Sequence, residues 1–215
     1  FARPSAWSYN ASRYAPLIRR SLAPWYDGQV TASARVADGQ IYQLRADKEG
    51  FFPFFAEGVI TTPQPGDVLS TNWVMAASEA LELLTAALET ELDEEKGHVT
   101  MVVFGPADDE GVRSLVSGAV VTSDANAEFG PKYLNAVADF GTSGIFAEES
   151  VGTTANGAVS FFNVSPGRAD FTVEVPGHIC GPGIAGLPSL SASTASHIEA
   201  GRATYMTVAC EVAEE

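Results

Sequence analysis

The chain has 215 residues, 46% of them hydrophobic and 18% charged, with a formal net charge of −15. That is long enough for one large domain or two small ones, and too apolar for a globally disordered chain. No apolar run approaches a membrane span, and the acidic balance excludes nucleic acid as the default partner, because a binder must neutralise phosphate rather than repel it.

The charge is unevenly placed. Arg3, Arg13, Arg19 and Arg20 precede the first acid, Asp27, so the opening 26 residues carry +4 and the remainder −19. The same stretch holds Phe1, Trp7, Tyr9, Tyr14, Trp25 and Tyr26, with Pro4, Pro16 and Pro24 preventing a long helix. So many aromatics must pack, either on this chain's own body or on another subunit. A basic arm is also attracted to an acidic body. Residues 1–27 therefore read as an arm, with Trp7, Tyr9, Tyr14, Arg19, Arg20 and Trp25 as candidate assembly contacts. No charged-then-apolar secretion signal opens the chain, which fits a mature, processed protein. Asn10-Ala11-Ser12 and Asn163-Val164-Ser165 match the glycosylation triplet, but such triplets are frequent by chance and Pro166 makes the second a poor acceptor.

Residues 28–66 form a small β unit. Gln29–Val36 and Gln40–Ala46 flank Asp38-Gly39 as a hairpin, with Tyr42, Leu44 and Ala46 on one face and Gln43 and Arg45 on the other. Phe51, Phe52, Phe54 and Phe55 follow. Such a cluster can line a sugar platform, although in most proteins it belongs to a core or interface. Residues 67–97 supply a linker and one amphipathic helix. Ser70, Thr71 and Asn72 offer N-caps, Val74, Ala77, Leu81, Leu84, Leu88 and Leu92 form the apolar stripe, and Gly97 is the expected stop. Glu79, Glu82, Glu89 and Glu91 lie off the stripe, and Asp93, Glu94 and Glu95 oppose the helix dipole. The stripe is expected on a sheet, since a membrane-surface helix would be basic.

From residue 98 to residue 215 the pattern is that of a sandwich, with strands expected at 98–104, 115–121, 133–140, 144–151, 158–164, 169–175 and 203–212. The firmest signal is Gly157–Val175. Val159 and Phe161 alternate with Ser160 and Phe162, and Ala169, Phe171, Val173 and Val175 with Asp170, Thr172 and Glu174. Ser165-Pro166-Gly167-Arg168 between them suits a type II turn, so the stretch is expected to be a β-hairpin, with Asn156-Gly157 closing the strand before it. Gly177–Ser196 is expected to be a long loop, pinned by Cys180 or by a partner.

Cys180 and Cys210 are the only thiols. A disulfide between them would stabilise by about 3 kcal/mol in the chain-entropy model. The alternatives are two buried free cysteines in a reducing compartment, or a zinc site with His178 and His197, for which the paired spacings are missing. Asp108, Asp109 and Glu110 are weak calcium candidates at an edge loop. Neither they nor Asp124-Ala125-Asn126-Ala127-Glu128 have the D-x-[DN]-x-[DN]-G register, so solvated turn acids are the better reading. There is no G-x-S-x-G, no P-loop and no dinucleotide fingerprint, and His98, His178 and His197 lack companion acids at metal or triad spacing.

The wording SFFNVSPG followed by FTVEV, after Thr153-Thr154 and Asn156-Gly157, resembles the carboxypeptidase regulatory-like domain of secreted bacterial proteins, whose signature there is G-x-F-x-F-x-N-V-x-P-G. GHVTMVVFG looks like that family's opening strand and Leu115–Val121 like the next, and KEGFFP after Ala46 resembles the phrase that closes such a module. The resemblance implies a transthyretin-like antiparallel β-sandwich, and it brings no catalytic residues. The expected protein is thus mainly β, secreted or at the cell surface, non-enzymatic and without a required cofactor. It is expected to assemble with itself as a filament or surface-layer subunit through residues 1–27. A glycan- or calcium-binding module of a surface lipoprotein is the alternative.

Overall fold

The computed structural model describes residues 40–47, 49–60, 78–136, 144–182 and 193–213. Along them run β1 (Gln40–Ala46), β2 (Phe54–Ile60), α1 (Ser78–Leu88), β3 (Gly97–Ala107), β4 (Arg113–Leu115), β5 (Val120–Ser123) and β6 (Ala127–Tyr133). They are followed by β7 (Ala158–Val164), β8 (Gly167–Glu174), β9 (His178–Pro182), β10 (Ser193–Ile198) and β11 (Ala203–Val212). Among the described residues the protein is mainly β with one short helix, as the alternating pattern predicts.

Two sheets face each other. The larger runs β1-β2-β11-β3-β7-β6, with β4 on β3 and β9 on β11, and the smaller runs β10-β8-β5. Alternate residues of facing strands meet between them. Val99, Met101 and Val103 of β3, Val159 and Phe161 of β7, and Met206 and Val208 of β11 pack against Val121, Ala169, Phe171, Val173 and Ile198 of the smaller sheet. Phe161 and Phe171 make an edge-on contact across the interior with ring centroids 5.3 Å apart. The larger sheet is mixed, because β11 runs parallel to both β3 and β2.

The firmest sequence signal resolves differently from the expected hairpin. β7 pairs with β3 and β6 in the larger sheet, whereas β8 pairs with β10 and β5 in the smaller one. Ser165–Arg168 therefore carries the chain from one sheet to the other. Two-residue alternation specifies a strand and its faces but not its hydrogen-bonding neighbour, so an arch between sheets and a hairpin within one sheet read alike. The expected strand 115–121 is divided by the same kind of crossing. β4 ends at Leu115 in the larger sheet, Gly118 turns the chain at φ +82°, and β5 begins at Val120 in the smaller.

Other boundaries move. The strand expected at 133–140 lies at 127–133, taking in part of the acidic stretch read as a turn, and residues 137–143 fall outside the described residues. Gly130-Pro131 sits at a register shift in this edge strand, where a missing N–H donor is tolerated. In place of a strand at 144–151 there is a turn and one bridge between Leu134 and Phe146. The expected loop 177–196 contains β9 and the start of β10, with 183–192 outside the described residues.

β1 pairs antiparallel with β2, while residues 29–36, the expected partner of 40–46, lie outside the described residues. This hairpin continues the larger sheet through parallel pairing of Phe54 and Phe55 with Ala203 and Thr204. Ion pairs support the junction: Arg45 with Glu199, and Arg202 with both Asp47 at 2.8 Å and Glu199 at 3.3 Å.

The helix covers the outer face of the larger sheet, as its stripe requires. Leu84 and Leu88 bury against Phe146 and Phe162, flanked by Leu92, Phe129, Leu134 and Ile145. It ends at Leu88 rather than near Gly97. Glu89 takes a left-handed φ of 54°, its N–H donates to Ala86 O at 3.4 Å and the Thr90 N–H to Thr85 O at 3.2 Å. That is the Schellman pattern with a glutamate where glycine is usual. Gly97 instead opens β3, where a Cβ would come within 2.4 Å of the Ile198 side chain. The proposed caps at 70–72 lie outside the described residues.

Candidate functional site

On one flank of the sandwich both sheets end in strands with a single described partner: β5, which pairs with β8, and β6, which pairs with β7. Between them is a groove of about 470 Å³ lined by Val120, Val121, Ala125, Ala127, Pro131, Tyr133, Val151 and Phe161 among others. Val120 is 37% exposed and Val151 84%. The Tyr133 side chain crosses the groove floor, and its hydroxyl accepts the Val121 N–H at 3.1 Å, linking the edges of the two sheets. At one end Thr153 closes the seam, its Oγ1 accepting the Ala119 N–H at 2.9 Å and donating to Val116 O at 2.6 Å. No acid lines the groove; among the exposed acids of the neighbouring elements, Asp124 Oδ1 accepts the Asp170 N–H at 2.8 Å and Glu148 lies 3.5 Å from Lys132.

A second groove, of about 530 Å³, lies where Val120, Val173, Val175, Pro176, Ile179 and Cys180 meet. It forms between β8, which has a neighbour on each side, and β9, whose single described partner is β11.

A buried polar node holds the opposite surface of β7. Between Val99 and Gly97 of β3 the facing β7 strand carries one extra residue, a bulge with Asn163 at φ 52°. Asparagine tolerates this left-handed conformation better than most residues. The Asn163 N–H donates to His98 Nδ1 at 3.2 Å, and its side-chain amide donates to Glu91 O at 3.2 Å and Glu128 Oε2 at 2.9 Å and accepts from the Asp93 N–H at 2.9 Å. The segment after the helix, β3, β6 and β7 are thereby joined at one residue. His98 lies between Phe52 and Phe162 at centroid distances of 5.4 and 6.1 Å. Burial pushes its pKa down from 6.5 to about 4, against a smaller upward pull from the Asp93 charge. The ring is a neutral acceptor, and Asn163, 3% exposed, is no free glycosylation acceptor.

The residues singled out by sequence fall as follows. Cys180 and Cys210 face each other in the β9–β11 ladder and form a disulfide, which removes them as zinc ligands. Asp108 Oδ1 accepts the N–H groups of Glu110 at 3.0 Å and Val112 at 2.8 Å, so its carboxylate caps its own turn, with Asp109 and Glu110 exposed beside it. Among the described residues no three His, Cys, Asp or Glu side chains gather as a metal site. Phe54 and Phe55 are buried in β2, Phe55 beneath the Arg45 guanidinium. Half of the proposed sugar platform is thus core. Trp7, Tyr9, Tyr14, Arg19, Arg20 and Trp25 lie outside the described residues. Tyr133, Val151, His98 and Asn163 had no sequence signal as a group, since only folding brings 98 to 163 and 121 to 133.

No helix among the described residues is long and apolar enough to cross a membrane. No protein-family model matches the chain, and no curated protein sequence matches it. Solved structures that match part of the chain include the minor pilin GBS52 of Streptococcus agalactiae, at 14% identity and a TM-score of 0.36, covering 56% of this chain and 46% of that one. A streptococcal ancillary pilin matches at 12% identity and a TM-score of 0.32, covering 80% and 45%. The major pilin SpaD of Corynebacterium diphtheriae matches at 18% identity and 0.27, covering 54% and 32%. The matches span less than half the length of each of these structures.

Proposed function

We propose that the protein is a non-enzymatic structural module of the cell surface or extracellular space that assembles with copies of itself, as a filament or surface layer, through residues 1–27. The observation that supports this reading is a sandwich flank with two edge strands, each with a single described partner, and an apolar seam, in a chain whose opening 26 residues carry +4 and six aromatics and whose remainder carries −19. Exposed edges of this kind accept added strands, and opposite charge orients the encounter. Trp7, Tyr9, Tyr14 and Trp25 supply the apolar contacts, and Arg19 and Arg20 the charge. The G-x-F-x-F-x-N-V-x-P-G wording supports reading residues 98–215 as a carboxypeptidase regulatory-like sandwich, with residues 28–66 and the helix as its N-terminal additions.

Light scattering and negative-stain imaging of the full chain at low and high salt test the assembly. Large species are expected at low salt, reduced in an Arg13→Glu/Arg19→Glu/Arg20→Glu variant and absent when residues 1–27 are removed. A truncated chain that still polymerises overturns the role of residues 1–27. A monomer at every salt overturns self-assembly in favour of a glycan- or calcium-binding module.

A further inference from the structure

We infer that Asn156 is a latent deamidation site, shut by the native hydrogen bonds around it and converted when the seam between residues 134–135 and 154–158 opens. The inference is independent of assembly. Asn156-Gly157 is the one Asn-Gly step in the chain, since the other five asparagines precede Ala, Trp or Val. Asparagine is a chemically labile residue, and a following glycine places no Cβ beside the attacking backbone nitrogen. The fold requires that glycine. Gly157 has φ +62°, and a Cβ on it would lie 2.8 Å from Val103 O. The residue type that the entry to β7 needs is therefore the one that opens Asn156 to attack.

The reaction is intramolecular. The Gly157 amide nitrogen bonds to Asn156 Cγ as the Cγ–Nδ2 bond breaks, and the amide proton leaves with Nδ2 as ammonia. Water then opens the succinimide ring at either carbonyl, giving aspartate or isoaspartate. In the folded chain each group that must move is bonded. The Gly157 N–H donates to Thr154 O at 2.9 Å. Asn156 Nδ2 donates to Asn135 O at 2.7 Å, and its Oδ1 accepts the Ala158 N–H at 3.0 Å and lies 3.1 Å from Thr154 Oγ1. Leu134 completes the seam: its N–H donates to Ala158 O at 3.1 Å, and its carbonyl accepts from Thr154 Oγ1. Conversion to aspartate replaces the donor on Asn135 O with a carboxylate oxygen, leaving two acceptors face to face. Isoaspartate lengthens the backbone just before Gly157, whose carbonyl accepts the Val103 N–H at 2.9 Å. Once converted, the seam cannot re-form intact, so the site records its opening irreversibly.

Peptide mass spectrometry tests this on full-length protein aged in mildly alkaline buffer, either native or unfolded in guanidinium chloride. Conversion at residue 156 is expected to be slower in the native protein by roughly tenfold or more. Thr154→Ala, which removes the hydroxyl bonded to Leu134 O, is expected to raise the native rate by roughly threefold or more and leave the unfolded rate unchanged. Asn156→Asp, carrying the product side chain, is expected to melt at a lower temperature than wild type. No conversion in unfolded protein removes Asn156 as a site, and equal rates in native and unfolded protein remove the seam as its protection. A native Thr154→Ala rate equal to that of wild type removes Thr154 from the seam. An Asn156→Asp variant as stable as wild type overturns the lasting loss of the seam. The wild-type comparison needs no substitution, so it decides the site and its protection even where a variant fails to fold.

Discussion

His98 shows how one side chain sets a condition on the whole fold. Its Nδ1 satisfies the amide that the β7 bulge takes out of the ladder, and only the neutral ring can accept that bond. The folded-state pKa, about 4, lies below the unfolded value of 6.5. The unfolded chain therefore binds the proton first, and the contribution is fully present above pH 6.5 and lost as pH falls toward 4. The difference amounts to roughly 3 kcal/mol. Urea titrations across this window should show that loss in the wild-type protein beyond what a His98→Gln variant shows. Equal pH dependence in the two proteins would remove His98 as the titrating group.

Elements here are terminated by local geometry that competes with their periodic pattern. The apolar stripe continues to Leu92, yet α1 stops four residues earlier, at Leu88, because Glu89 adopts the left-handed conformation that closes a Schellman motif. Held there, an L-residue with a Cβ is strained, and its carboxylate faces the negative end of the helix dipole. Glu89→Gly is expected to stabilise the protein by about 1 kcal/mol despite glycine's greater freedom in the unfolded chain. Thermal melting checks the sign. A lower melting temperature for the variant would mean that the Glu89 side chain contributes a contact outweighing the strain.

At the scale of the whole molecule, parallel pairing brings the C-terminal strand into the centre of the larger sheet, between β3 on one side and β2 and β9 on the other. The Cys180–Cys210 disulfide joins this strand to β9 across a sequence separation of 30. Closing a loop of that length is worth about 3–4 kcal/mol in the chain-entropy model. A Cys180→Ala/Cys210→Ala variant should lose about that much in urea unfolding without a change of fold by circular dichroism. A loss well under 1 kcal/mol would show that strand pairing alone orders the C-terminal strand.

The alternation at Val159–Phe162 and Ala169–Val175, the stripe through Leu84 and Leu88, and the positions of Cys180 and Cys210 were legible because each is a property of residues close in the chain. They determined that the protein is mainly β, where its firmest strands lie and which faces turn inward. They did not determine strand partners. Ser165–Arg168 and Val116–Ala119 read as a hairpin turn and a strand interior, and both are crossings between sheets. The site was less legible still. The bond from Val121 to Tyr133, the one from Asn163 to His98, and the groove between two edge strands join residues whose proximity no period encodes. Which strand lies beside which is decided by burying both sheets' apolar faces at once, a condition on the whole chain that only the tertiary structure expresses.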